Sequence, residues 1–490
     1  MIESVMKESG KLINPKKNLK IEARRMNFMA SVHSSHILLR LDYTTKLRKQ
    51  RLNNFFNLQR TIVDSAQIED ICSDLLKYKE NIELTHHLLR KLKASLTIST
   101  DVNLDLNVIE QLVSLLDSSS HETILEAECI LADLSMSENK YCQYIISLDG
   151  HLKLLKLILF PDPLIQKQAV RTLGNIAGSG SMEREKLLHA GVLKQLNTLL
   201  EKNIDYKELI EDLCCLVYNL FKGNNKPKVK DIAKFLELIN ILLKSKDNQL
   251  VPYALIGLQG VTKINVQNIK YVVNKISIKE IINCADSKET RNEALKVLGN
   301  MCMGCAKSVK KLLDQPFLQL IAKILTAKDD NEAVKECCWL LSNIALGPPS
   351  HIQHLIDNFI PKLLCNIITT IGYFNIRKKA MYALINVYLN ATTFQVFQIC
   401  LVEVFDAIIQ MVNIEDSQLI ISILKVLDRV FELNKEGLVL FESLGGVKKL
   451  EELQLHPNVD VINKGCEILD KYFDDGELEF KSDEEMEEMI

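Results

Sequence analysis

Apolar residues in this chain recur at three- and four-residue spacing, the period of a helix face, and no long segment alternates as a half-buried strand would. The helical pattern itself repeats. Ala169-Val170-Arg171-Thr172-Leu173-Gly174-Asn175-Ile176 ends in a small residue, an asparagine and an apolar residue. Related endings return in Cys215-Leu216-Val217-Tyr218-Asn219-Leu220, Leu298-Gly299-Asn300-Met301, Leu341-Ser342-Asn343-Ile344 and Leu384-Ile385-Asn386-Val387. Successive asparagines lie 44, 81, 43 and 43 residues apart, and the long interval divides at Gly257, within Tyr253-Ala254-Leu255-Ile256-Gly257-Leu258. An earlier copy, Cys129-Ile130-Leu131-Ala132-Asp133-Leu134, stands 42 residues before Asn175. Some 16–18 residues after the first landmark, a turn opens a further apolar helix, as at Gly150-His151-Leu152, Gly191-Val192-Leu193, Pro316-Phe317-Leu318, Ile360-Pro361-Lys362-Leu363 and Gly446-Val447-Lys448.

Two landmarks in phase at a period near 42 predict helical repeats of the armadillo or HEAT type. The expected fold is all-α, an armadillo-repeat right-handed superhelical solenoid of about ten repeats with a long concave face. Leu173 with Ile176, Leu298 with Met301 and Leu341 with Ile344 are spaced i, i+3, so each pair shares one buried stripe. The Gly or Ser before the asparagine suits close helix approach. The asparagine and the residue four earlier share a different face, one turn apart, so repetition builds a ladder of paired side chains. An asparagine can instead satisfy helix-end backbone, since it caps well; a partner fixed four residues earlier favours a binding ladder.

Composition adds a division into parts. Residues 1–60 hold 13 Lys/Arg against 4 Asp/Glu, and residues 474–490 hold 9 Asp/Glu against one Lys, although the net charge is only −3. A basic arm (1–60), a repeat domain (61–475) and an acidic tail (476–490) are expected. Only 18 Gly and 10 Pro in 490 residues suit a helical chain. No run approaches the ~20 apolar residues of a membrane span, and no secretory signal is read at the start. Thirteen cysteines at irregular spacing suit a reducing compartment rather than a disulfide framework.

The repeat motifs carry a resemblance. Gln168-Ala169-Val170-Arg171-Thr172-Leu173-Gly174-Asn175-Ile176-Ala177-Gly178 resembles the third-helix motif of the importin-α family, with Arg171 where that family has Trp; Cys338-Trp339-Leu340-Leu341-Ser342-Asn343-Ile344 keeps the Trp. Leu450-Glu451-Glu452-Leu453-Gln454-Leu455-His456-Pro457-Asn458 and the acidic end are similar to the family's last repeat and tail. The resemblance implies a nuclear import adaptor that holds cargo in the armadillo groove, and an arm that recruits importin-β. Carried over residue by residue, it makes Asn175, Asn219, Asn300, Asn343, Asn386, Trp339 and Tyr382 the cargo-peptide-binding set. It makes Arg24, Arg25, Arg40, Lys46, Arg48, Lys49 and Arg51 the importin-β-binding set. Implied partners are importin-β, cargo proteins with extended basic segments and a nuclear export receptor, in cytoplasm and nucleus; no nucleic acid, membrane, cofactor or metal is expected.

Departures temper this. The aromatic partner survives as Trp339, Tyr382 and, four before Gly257, Tyr253; earlier positions hold Cys129, Arg171 and Cys215, and Asp133 replaces the first asparagine. Ser179 and Lys379 stand where the family has acids, and Arg171 would repel a basic cargo residue. The alternative is an importin-α-like scaffold that has lost lysine-rich binding and holds a dedicated partner; an armadillo scaffold of the adhesion or signalling kind is a further rival. Cys302-Met303-Gly304-Cys305 is a lone C-x-x-C without a second pair at zinc spacing. Cys214-Cys215 and Cys337-Cys338 are expected to fill helix contacts, His86-His87 to lie on helix surface, and Gly178-Ser179-Gly180-Ser181 to form a loop. No nucleophile–base pairing or phosphate loop supports an enzyme.

Overall fold

The computed structural model describes residues 65–473, apart from 79–80, 99–103, 202–206, 223–226 and positions 246, 248, 264, 400 and 413. The seven basic residues assigned to the arm, and the acidic tail, lie outside the described residues. Those described form helices and no strand, in armadillo repeats. Packing divides the chain into two compact units, Met1–Gly304 and Cys305–Ile490.

Ten helices carry the recurring motif or its equivalent. In the first unit they are α1 (Ile82–Ile98), α2 (His121–Ser137), α3 (Pro163–Ser179), α4 (Lys207–Leu220), α5 (Val251–Thr262) and α6 (Arg291–Cys302). In the second they are α7 (Asn331–Ala345), α8 (Phe374–Asn390), α9 (Ser417–Leu433) and α10 (Val459–Tyr472). Within each unit, every one of these helices packs on the next. Their starts are written locally. Ser120, Asp162, Asp330 and Asp416 each accept a hydrogen bond from a first-turn backbone N–H, and Pro163 follows Asp162 where its missing N–H has no consequence.

The stripe drawn from the sequence is the core: Leu173, Ile176, Leu298, Met301, Leu341 and Ile344 are all fully buried. At four of the five places named from the sequence the second landmark holds a left-handed residue that reverses the chain between two helices, whereas Pro316 at the fifth has φ of −72°. The left-handed residue falls at Asp149, Gly191, Phe359 and Gly445, with φ of 54°, 85°, 55° and 76°. Glycine takes this conformation without strain at two of the four. Gly446 serves a different end, since a Cβ there would lie 2.4 Å from the Phe441 ring. Near the end of the second unit, Phe431 meets Phe441, Tyr472 and Phe473 edge to face, with centroids 5.3, 5.4 and 5.5 Å apart. Such pairs add about 0.5–1.5 kcal/mol each beyond area burial.

Two local readings change. Gly178 and Ser179 belong to α3, and Ser181 already opens the next helix, so only Gly180 separates them. A Cβ on Gly174 would sit 3.6 Å from Leu216, an ordinary contact, so Gly174 is not what brings α3 and α4 together. The close approach is at Gly260, whose added Cβ would fall 2.6 Å from the Tyr218 Cα. Cys214, Cys215, Cys337 and Cys338 are buried, His86 is half-buried and His87 exposed.

Candidate functional site

The ladder asparagines are placed by hydrogen bonds between repeats. Asn175 Nδ2 donates to the Ala132 carbonyl and to Ser135 Oγ, both at 3.0 Å. Asn219 Nδ2 donates to the Gly174 carbonyl at 2.8 Å. Asn300 Nδ2 donates to the Gln259 carbonyl at 3.3 Å and Thr262 Oγ1 at 3.2 Å. Asn386 Nδ2 donates to the Ser342 carbonyl at 3.3 Å and Ser342 Oγ at 2.8 Å. Each amide staples its helix to the one before, at the residue preceding that helix's own ladder position. This is the backbone-satisfying role open to an asparagine, and it joins repeats rather than capping one helix.

The same rule fixes the register where sequence alone misplaces it. Asn300 bonds to Gln259, so the ladder position of α5 is Gly260, not Gly257. The intervals become 44, 41, 40, 43 and 43. The residue one turn earlier is then Ile256, and Tyr253 is off the ladder. The apolar frame of the sequence points to Gly257, and the staple from Asn300 selects Gly260. Arg429 follows Asn386 by 43 residues and stands at the ladder position of α9, where its guanidinium donates to the Ala391 carbonyl.

Asn219 and Asn386 are half-buried, and their amide oxygens accept no hydrogen bond from the described residues. An oxygen so placed can accept an N–H from an extended partner. Asn343 is 3% exposed and Trp339 only 9%, so the Trp339 ring is mostly core, with an edge at the surface. Tyr382 is half-buried, and burial followed by the Asp416 charge raises its hydroxyl pKa to about 12. Lys378 Nζ lies 6.0 Å from the Tyr382 ring centroid and pairs with Asp416. The ring therefore already receives a cation from its own helix, one turn away.

The first unit differs. Cys129 and Cys215 are buried thiols with no ring face to offer, and Lys296 pairs with Glu293 at 3.7 Å. Arg171 reaches back to Asp133, Nη2 to Oδ1 at 3.4 Å. Burial raises the Asp133 carboxyl above its ordinary pKa, and Arg171 and Lys93 pull it down. The two early positions that depart from the ring–asparagine pattern thus face each other as an ion pair, which lowers the repulsion Arg171 would exert alone.

Comparison with known proteins agrees with this architecture. A family model described as an atypical Arm repeat matches residues 437–489. Importin subunit alpha-8 of Arabidopsis thaliana is 28% identical over 334 residues, which cover 64% of this chain and 73% of that one. Importin subunit alpha-5 of the same plant is 24% identical over 277 residues, 52% of each chain. This chain is a divergent importin-α-like armadillo protein. Among solved structures, an engineered protein superposes with a TM-score of 0.71 over 84% of this chain and 99% of its own, at 22% identity, which speaks to the fold alone.

Proposed function

We propose that this protein is a nuclear transport adaptor of the importin-α kind. It holds an extended cargo segment along the ladder of Asn175, Asn219, Asn300, Asn343 and Asn386, with Trp339 and Tyr382 beside it. It recruits importin-β through Arg24, Arg25, Arg40, Lys46, Arg48, Lys49 and Arg51, and it works between cytoplasm and nucleus, with a nuclear export receptor returning it. The parts are a basic arm over 1–60, a repeat domain over 61–475 and an acidic tail over 476–490. The observation that carries the reading is the ladder register, in which Asn219 and Asn386 each hold an unused amide oxygen at an accessible position. Likeness to importin-α subunits supports the same assignment. The test is capture by immobilised importin-β of the full-length chain and of a variant with Arg48, Lys49 and Arg51 changed to Glu. Capture of the parent and loss in the variant are expected; equal capture would remove the adaptor role.

A second reading rests on Arg171 and Asp133. Their ion pair occupies the ladder where a cargo lysine would be read, which suits a scaffold holding one dedicated partner. A panel of lysine-rich peptides separates the two: binding in the micromolar range favours the adaptor, and no binding favours the scaffold.

A further inference from the structure

We infer that Lys93 is a specificity-determining residue of the ladder: with Arg171 it forms a fixed pair of cations that keeps lysine-bearing segments off α2 and α3. The inference rests on the proposed reading of the ladder as a surface for an extended segment, and names what its early part would reject.

The acids that hold these cations are set by α2. Glu126, Cys129 and Asp133 are spaced i, i+3 and i+7, so they share one face of the helix. Asp133 is the ladder position, Cys129 lies one turn before it and Glu126 two turns before. At ~1.5 Å rise per residue the two carboxylates are rooted about 10 Å apart along α2. Neighbouring helices answer both. Lys93, on α1, donates from Nζ to Glu126 Oε2 at 2.8 Å. Arg171, on α3, reaches Asp133 with Nη2 to Oδ1 at 3.4 Å. Burial raises the Cys129 thiol above its ordinary pKa, and the Lys93 ammonium draws it down, as it does together with Arg171 at Asp133. The ammonium therefore lies beside the place one turn before the ladder, where Trp339 and Tyr382 stand in the second unit.

Another repeat meets the same need with a different residue. Glu293 stands two turns before Asn300, as Glu126 does before Asp133, and pairs at 3.7 Å with Lys296, one turn before Asn300. On α2 the place of Lys296 is taken by Cys129, and the cation comes from the preceding helix instead. In both repeats an ammonium serves the same place on the ladder face.

Folding gains little from the pairs on α2, whose side chains are 17% to 40% exposed. Their consequence is for recognition. A cation held on a binding face repels a partner's lysine, and specificity is commonly built from such a repulsive element. Lys93 belongs to the same chain as Glu126, so an incoming lysine must displace a tethered competitor.

The experiment measures anisotropy of a labelled ten-residue Gly/Ser peptide carrying three consecutive lysines, with the full-length chain. Lys93→Met with Arg171→Met removes both charges and keeps unbranched stems, and should tighten binding about tenfold or more over the parent. Adding Glu126→Gln and Asp133→Asn should return the affinity to that of the parent, which places the gain on α2. The same peptide with alanines for lysines should show no gain. Lys93→Gln with Arg171→Gln removes the same charges by a second route, and circular dichroism selects the folded variants. Unchanged affinity for the lysine peptide in the folded double variants overturns the inference. So does a gain that survives the loss of Glu126 and Asp133, or one shared by the alanine peptide. Capture of the parent by importin-β judges the adaptor reading separately, so either can fail without the other.

Discussion

The two units fill the equivalent ladder positions differently. In the second unit the positions beside Asn343 and Asn386 are Trp339 and Tyr382, and nearby charges are matched. Lys378 meets Asp416, and Asp428 takes Lys464 and Lys471, each at 3.0 Å, with Tyr472. Those three donors hold the Asp428 carboxyl below its ordinary pKa against the opposing effect of burial. In the first unit the corresponding places hold thiols, an arginine, an isoleucine and a lysine, and some charges have no match. Glu128 is fully buried with neither carboxylate oxygen bonded, and Lys222 faces other cations. A repeat fold tolerates both because each repeat is held by its neighbours. The difference separates what the ladder needs for stacking, the amide staple, from what varies between the units, the residue one turn before.

The largest break in this comparison is expected at Trp339. At 9% exposure its ring fills core, so Trp339→Ala should destabilise the protein by ~3–5 kcal/mol. It should also weaken a lysine-rich peptide. Trp339→Phe should keep most of the stability, so affinity can be measured on a folded protein. Asn175→Ala removes bonds to Ala132 and Ser135 worth ~1 kcal/mol each, with lysine-peptide affinity near that of the parent. Urea unfolding and peptide titration read both. Loss of basic-peptide binding on Asn175→Ala alone would put the site in the first unit.

Glu128 sharpens the contrast through pH. The equivalent positions five before the ladder residue are Val170, Cys214, Leu255, Leu295, Cys338 and Met381, all buried. Burial, with the Asp162 charge adding to it, holds the Glu128 pKa well above its ordinary value. The folded state therefore keeps a proton that the unfolded chain gives up near pH 4.5. Glu128's contribution to stability is full below that pH and is lost as pH rises through the folded-state value. Glu128→Leu should stabilise the protein at neutral pH by ~1–3 kcal/mol, the penalty of an unsatisfied buried polar group, and should flatten this part of the pH profile. Urea midpoints at pH 5 and pH 8 check it; equal slopes in parent and variant would mean that Glu128 is ionised and paired.

The repeats, their period and their buried stripe were legible because they follow from the 3.6-residue helix and from burial, which act locally. Leu173 and Ile176 needed no tertiary information. The site was less legible because its register is set between repeats. Gly257 and Gly260 both fit the apolar frame of α5, and only the reach of Asn300 to Gln259 and Thr262 chooses. Arg171 read as a repulsive charge in isolation; its partner Asp133 lies 38 residues earlier, on another helix.

A smaller effect is expected at the Arg171–Asp133 pair. At 26% and 40% side-chain exposure it is worth ~0–1 kcal/mol to stability. Arg171→Trp with Asp133→Asn would rebuild a ring–asparagine pair. A ring face offers a lysine ~0.5–1 kcal/mol at an exposed site, so lysine-peptide affinity should rise about two- to fivefold without a change in the urea midpoint beyond that range. No gain would show that neighbouring cations, rather than the missing ring, keep basic segments off the first unit.

The smallest effect concerns the arm as a competitor for the ladder. In the importin-α family such an arm folds back into the groove when cargo is absent, and it does so by imitating basic cargo. In the proposed arm, the place of that family's second basic cluster would be taken by Leu58-Gln59-Arg60, and in the proposed groove Ser179 would take the place of an acid. Lys222 on the first unit, half-buried and among other cations, would further oppose a segment carrying 13 Lys/Arg. Arm and ladder should therefore compete weakly. Neutralising Arg48, Lys49, Arg51 and Arg60 together should change lysine-peptide affinity by less than tenfold, that is, by less than about 1.4 kcal/mol. A tenfold gain for the lysine peptide would mean that the arm does occupy the ladder. A gain confined to variants that keep Trp339 would place it on the second unit, where the ring and the asparagines persist.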